Sequence, residues 1–103
     1  MVDTQLSLEA RDPNAWFIKG QLTTMALSKR WRRFDKCRPN KGAWVIDCGG
    51  VSKMDSAGIA YILTCVKYAK KNRLGIRLHH MPEEVFALMK AQGVMPLIEP
   101  LLS

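Results

Sequence analysis

The chain has 103 residues, 48% of them hydrophobic, and a net charge of +7. This length fits a single domain, residues 1–103, around one core, and the apolar content excludes a disordered chain. No apolar stretch reaches the roughly 20 residues of a membrane span, and the start, Met-Val-Asp-Thr-Gln, has neither the basic nor the apolar region of a secretory signal.

Leu6, Leu8 and Ala10 alternate with polar residues and predict a first strand. Asp12-Pro13-Asn14 reads as a turn, and Ala15 to Lys19 as a second strand ended by Gly20, so the two form a hairpin. From about Thr24 to Cys37 the period becomes helical, with Leu27, Trp31 and Phe34 as one buried stripe. Lys29, Arg30, Arg32, Arg33, Lys36, Arg38 and Lys41 crowd this region, opposed only by Asp35. Such a patch suits nucleic acid, anionic lipid or an acidic protein surface, and equally a solvated helix face. The cations point away from the apolar stripe, which places them at the periphery of any main interface.

Ala43 to Cys48 predicts a buried central strand, followed by a Gly49-Gly50 loop that runs on to Met54. A second helix is expected from near Ala57 to about Asn72, with Ile59, Ile62, Leu63 and Val66 facing the core. Leu74, Ile76 and Leu78 alternate as another strand. Pro82-Glu83-Glu84 opens a third helix that Gly93 ends, and Val94, Leu97 and Ile98 form a short strand or a packed tail. The strand–helix–strand order demands crossover connections, hence an α/β fold with a mixed sheet of about four to five strands and helices packed on it. Cys37, Cys48 and Cys65 are odd in number and contain no CxxC pair, which favours buried or half-buried thiols in a reducing cytoplasm over a disulfide framework.

The informative stretch is Asp47-Cys48-Gly49-Gly50-Val51-Ser52-Lys53-Met54-Asp55-Ser56-Ala57-Gly58. Either Asp55 or Ser56 is placed to cap the helix that follows by accepting a bond from a free backbone N–H. The same geometry exposes a hydroxyl at a helix start, where a partner can reach it. A phosphate there would meet free N–H groups and the helix dipole.

This stretch resembles the STAS domain, the family shared by sulfate transporters and anti-sigma factor antagonists. The likeness rests on Met54-Asp55-Ser56-Ala57-Gly58 after a buried strand, and on Gly20-Gln21-Leu22 after the second strand. It covers about residues 5 to 98, and Cys48-Gly49-Gly50 departs from the usual apolar-then-Ser loop. The resemblance implies a STAS-like fold and puts Ser56 at the position phosphorylated in the anti-sigma factor antagonists. It is nearest to the stand-alone STAS subunits of bacterial phospholipid-transporting (Mla-type) ABC complexes. That likeness implies a cytoplasmic ATPase subunit as partner, a membrane permease reached only indirectly, a place at the inner face of the inner membrane, and a role in outer-membrane lipid asymmetry.

Asp55, Ser56, Ala57, Tyr61, Thr64 and Tyr68 are the expected partner-binding residues, with Ser56 the possible phosphorylation site. The helical spacing sets Tyr61, Thr64 and Tyr68 on the face opposite the core, and Tyr is enriched at interfaces. His79 and His80, adjacent on a strand, point to opposite faces and cannot share a metal. No HExxH, P-loop or Gly-x-Ser-x-Gly is present, and nothing supplies a nucleophile with its base. The chain is therefore expected to be no enzyme, to need no cofactor or metal, to insert in no membrane and to bind no nucleic acid. Two readings stay open: an ABC transporter accessory subunit, or an anti-sigma factor antagonist switched at Ser56.

Overall fold

The computed structural model describes residues 6–102, so the reading of the first five residues lies outside it, as does the side chain of Lys29. The elements in chain order are β1 (Ser7–Asp12), β2 (Ala15–Leu22), α1 (Thr24–Lys36), β3 (Ala43–Met54), α2 (Ser56–Lys71), β4 (Gly75–His79), α3 (Glu84–Ala91) and α4 (Met95–Ile98). A single 3-10 turn, Glu99–Leu101, follows. The strands form one four-stranded mixed sheet in the order β1-β2-β3-β4. β1 and β2 are the antiparallel hairpin, and β2, β3 and β4 run parallel.

Register puts the core on one face. Trp16 lies beside Ile46, Ile46 beside Leu78 and Trp44 beside Ile76, and all are buried. The alternate positions, Phe17, Val45, Asp47, Arg77 and His79, are half-buried or exposed. α2 supplies Ile59, Ile62, Cys65, Val66 and Ala69 to the buried layer, and α3 supplies Val85 and Met89. Trp16 meets Trp44 edge-on at 4.8 Å and Phe34 at 5.9 Å, so an aromatic cluster joins sheet to α1.

Three features depart from the sequence reading, and the tail takes the packed form of the two expected for it. β3 runs unbroken through Gly49 and Gly50, because β2 pairs along its whole length and the strands approach so closely there that a Cβ on Gly50 would stand 3.0 Å from the Ile18 carbonyl. β2 continues past Gly20, which sits in the left-handed region at φ +96° where the register shifts; glycine takes that bulge without strain. Trp31 is not part of the buried stripe: it is 44% exposed, whereas Leu27 and Phe34, two turns apart, are buried. The Tyr61 ring lies edge-on to Phe34 at 5.9 Å. The tail packs as α4 and the 3-10 turn, with Leu102 bridging to Leu78 on the far side of β4.

Candidate functional site

The site is built where the ends of β2 and β3 launch α1 and α2. The bulge at Gly20 carries β2 on to Leu22, which is fully buried, opposite Met54 at the end of β3. The carbonyl of Leu22 accepts a long bond from the Asp55 N–H, 3.4 Å. Gly58, in the first turn of α2, lies directly on that carbonyl; a Cβ there would collide with it and stand 2.6 Å from Met54 Cγ. The two short motifs read in the sequence, Gly20-Gln21-Leu22 and Asp55-Ser56-Ala57-Gly58, are thus halves of one joint.

Asp55 closes the joint. Its Oδ1 accepts from the N–H groups of Ala57 at 3.0 Å and Gly58 at 3.2 Å, the N-cap of α2. Its Oδ2 accepts from the N–H of Thr24 at 3.1 Å and from the Thr24 hydroxyl at 3.3 Å, at the start of α1. Thr23, at the N-cap position of α1, makes no capping bond with its own side chain. One carboxylate therefore holds the starts of both helices side by side. Partial burial pushes the Asp55 carboxyl up, but the bonds from Thr24, Gly58 and Ala57 outweigh it and hold it below its ordinary value.

With Asp55 as the cap, the Ser56 hydroxyl is left exposed at the first position of α2. Ala57 is half-buried, Ala60 and Thr64 are exposed, and the Thr64 hydroxyl donates back to the Ala60 carbonyl at 2.9 Å. The expectation of an exposed tyrosine face is corrected. Tyr61 is only 9% exposed, and its hydroxyl donates to Asp35 Oδ1 at 3.2 Å. Burial first, then the neighbouring Cys65 and Asp35, push its phenol well above its ordinary range. Tyr68 is half-buried, lies edge-on to Trp44 at 5.9 Å and donates to the Pro39 carbonyl at 2.9 Å. Tyr61 occupies the seam between α1 and α2, and Tyr68 packs between Trp44 of β3 and the loop that leaves α1.

Asp35, read from sequence only as the lone acid among cations, anchors this seam. It pairs with Arg38 at 2.7 Å, and the Arg38 guanidinium stacks on the Tyr68 ring at 4.7 Å. The large exposed apolar groups of this region are on α1 instead. Met25, next to the Thr24 that Asp55 holds, is 80% exposed. Trp31, one turn before Asp35 and so on the flank toward α2, carries the Arg32 guanidinium over its ring at 5.3 Å. The sequence reading missed Thr24, Met25 and Trp31. The solitary Asp35 was the available signal for the seam, and Thr24 offered none.

Two helix starts tied by one aspartate, over a four-stranded mixed sheet with helices packed on it, define an α/β domain of the STAS-like kind. The protein-family model described as "Mlab, STAS domain" matches residues 15–99, and the chain belongs to the STAS domain family. STAS domains are generally non-enzymatic binding domains, acting as anti-sigma factor antagonists or in association with transporters. No curated protein matches the chain significantly. Among the described residues no helix is long and apolar enough to cross a membrane.

Proposed function

We propose that the chain is a non-enzymatic accessory subunit that binds the cytoplasmic ATPase subunit of a phospholipid-transporting ABC complex and supports its assembly or activity. Through that subunit it acts on the membrane permease at the inner face of the inner membrane and serves outer-membrane lipid asymmetry. The contact surface begins at the shared start of α1 and α2, with Ser56, Ala57 and Met25, and extends along the helices to Thr64 and Trp31, with Asp55 as the brace beneath. The observation that carries the proposal is the exposure of two large apolar side chains on α1, Met25 in the first turn next to the joint that Asp55 closes and Trp31 two turns further on. Exposed Trp and Met next to small polar groups have the make-up of a protein interface. The family match, by its printed description, favours the transporter setting.

A second reading, an anti-sigma factor antagonist regulated at Ser56, is favoured by the exposure of that hydroxyl. In that case a phosphate would find the Ala57 and Gly58 N–H groups already taken by Asp55. Its added charge of about −1.5 to −2 would repel the Asp55 carboxylate and act by disrupting docking rather than by ordering the helix. The test is capture of partners by the tagged chain from its native cells, read by mass spectrometry. An ABC ATPase in the eluate supports the first reading. A small kinase-like ATPase, with phosphate on Ser56, overturns it in favour of the second.

A further inference from the structure

On the opposite flank of α2 from Tyr61 and Tyr68, an apolar groove of about 340 Å3 runs between α2 and α4. Leu63, Val66 and Leu97 form its floor, and Lys67 and Lys70 line it on the α2 side. Leu97 is 51% exposed while its neighbour Ile98 is fully buried, so the fold uses one leucine-sized side chain of α4 and leaves the other outside. Lys67 and Lys70 are exposed, and neither forms an ion pair among the described residues.

We propose that this groove docks a short acidic amphipathic helix of a second protein. An open apolar groove with Leu97 on its exposed side takes a row of apolar side chains laid along it. Two exposed lysines with no ion pair among the described residues, beside an apolar floor, suit an occupant that brings acids. Lys67 and Lys70 are three residues apart, about 4.5 Å along the α2 axis, the same rise that separates two acids three residues apart on a docked helix. Such a helix lays its apolar row on Leu63, Val66 and Leu97 and turns its acidic flank to α2, the helix-in-groove mode of recognition. The groove and the Met25–Trp31–Ser56 surface lie on different flanks, so both are free to be occupied at once. The inference stands whether or not the partner at that other surface is an ABC ATPase.

The probe is a blocked amphipathic peptide of about four helical turns, with a leucine row flanked by glutamates, added to the isotope-labelled chain and followed by NMR. A second peptide carries lysines in place of the glutamates. The expected result is saturable shifts confined to α2 and α4 around Leu63, Val66, Lys70 and Leu97, with the glutamate peptide binding at least about tenfold tighter, about 1.4 kcal/mol. Leu97→Asp, at an exposed position, should abolish the shifts and leave the melting temperature unchanged. The pair Lys67→Glu with Lys70→Glu should reverse the preference between the peptides. Equal affinity for the two peptides, or shifts centred on Met25, Trp31 and Ser56, overturns the proposal. So does dimerisation of the chain alone, or binding to anionic phosphatidylglycerol vesicles, that Leu97→Asp removes while no peptide binds.

Discussion

Replacing Asp55 with alanine removes one side chain from the starts of two helices, and the cost follows from its bonds. The α2 cap loses both acceptor contacts, to Ala57 and Gly58, and loss of an N-cap costs about 0.5–2 kcal/mol. The α1 start loses its bonds from Thr24 at the same time, and a bond to a charged group contributes about 1.5–3 kcal/mol, with the low end suited to this half-exposed place. Asp55→Ala should therefore lose about 2–3 kcal/mol, a fall in melting temperature of roughly 10–20 °C for a domain of this size. Asp55→Asn keeps an acceptor without the charge and should lose about 1 kcal/mol. The carboxyl titrates lower in the folded chain than its ordinary 3.8, so its contribution is complete above that value and is lost as pH falls through the folded value. Thermal or urea unfolding from about pH 7 down to about pH 3 should then show the gap between parent and Asp55→Ala shrinking below about pH 4. A variant that melts within a degree or two of the parent, or a gap constant across that range, refutes the double-cap argument.

Gly58→Ala should destabilise by about 1–3 kcal/mol in a urea titration, since the added methyl meets the Leu22 carbonyl and Met54. Two of the three thiols should resist Ellman's reagent in the native state: burial, with a lesser push from Asp47, raises Cys48 to about 12, and burial raises Cys65 to about 12. Exposed Cys37 should react at once, and the other two only on unfolding. Tyr61→Phe should lower stability by about 1 kcal/mol through the lost bond to Asp35 Oδ1, which keeps its Arg38 partner, and leave partner affinity unchanged, as calorimetry and a melt of the same sample would show.

Much of the fold was legible because its signals are local. The alternation of Trp44 and Ile46, the helical period of Ile59, Ile62 and Val66, and the turn at Asp12-Pro13-Asn14 each report on their own element. The glycines misled where their reason is tertiary: Gly49-Gly50 reads as a loop until β2 is seen to lie against it, and Gly20 reads as a strand end although it is a bulge inside one. The candidate site was half legible. Asp55 and Ser56 stood out because capping demands those residue types, and Gly58 only as part of the family motif, its close approach to Leu22 being tertiary. The outward face of α2 was misjudged, because periodicity places Tyr61 and Tyr68 away from the sheet but cannot register that α1 lies along that flank. Trp31 shares the spacing of Leu27 and Phe34 yet lies exposed at the edge of that stripe, and spacing alone does not separate edge from centre.

The most direct test of the proposed role is the affinity of the isolated chain for the ABC ATPase subunit of its own organism, measured by calorimetry for the parent, Trp31→Ala and Ser56→Glu. Trp31→Ala should lose about 1–3 kcal/mol of binding, and Ser56→Glu a comparable amount, with both variants melting like the parent because neither side chain is buried. Parent-like affinity in both folded variants, or no measurable binding by the parent, would contradict the account.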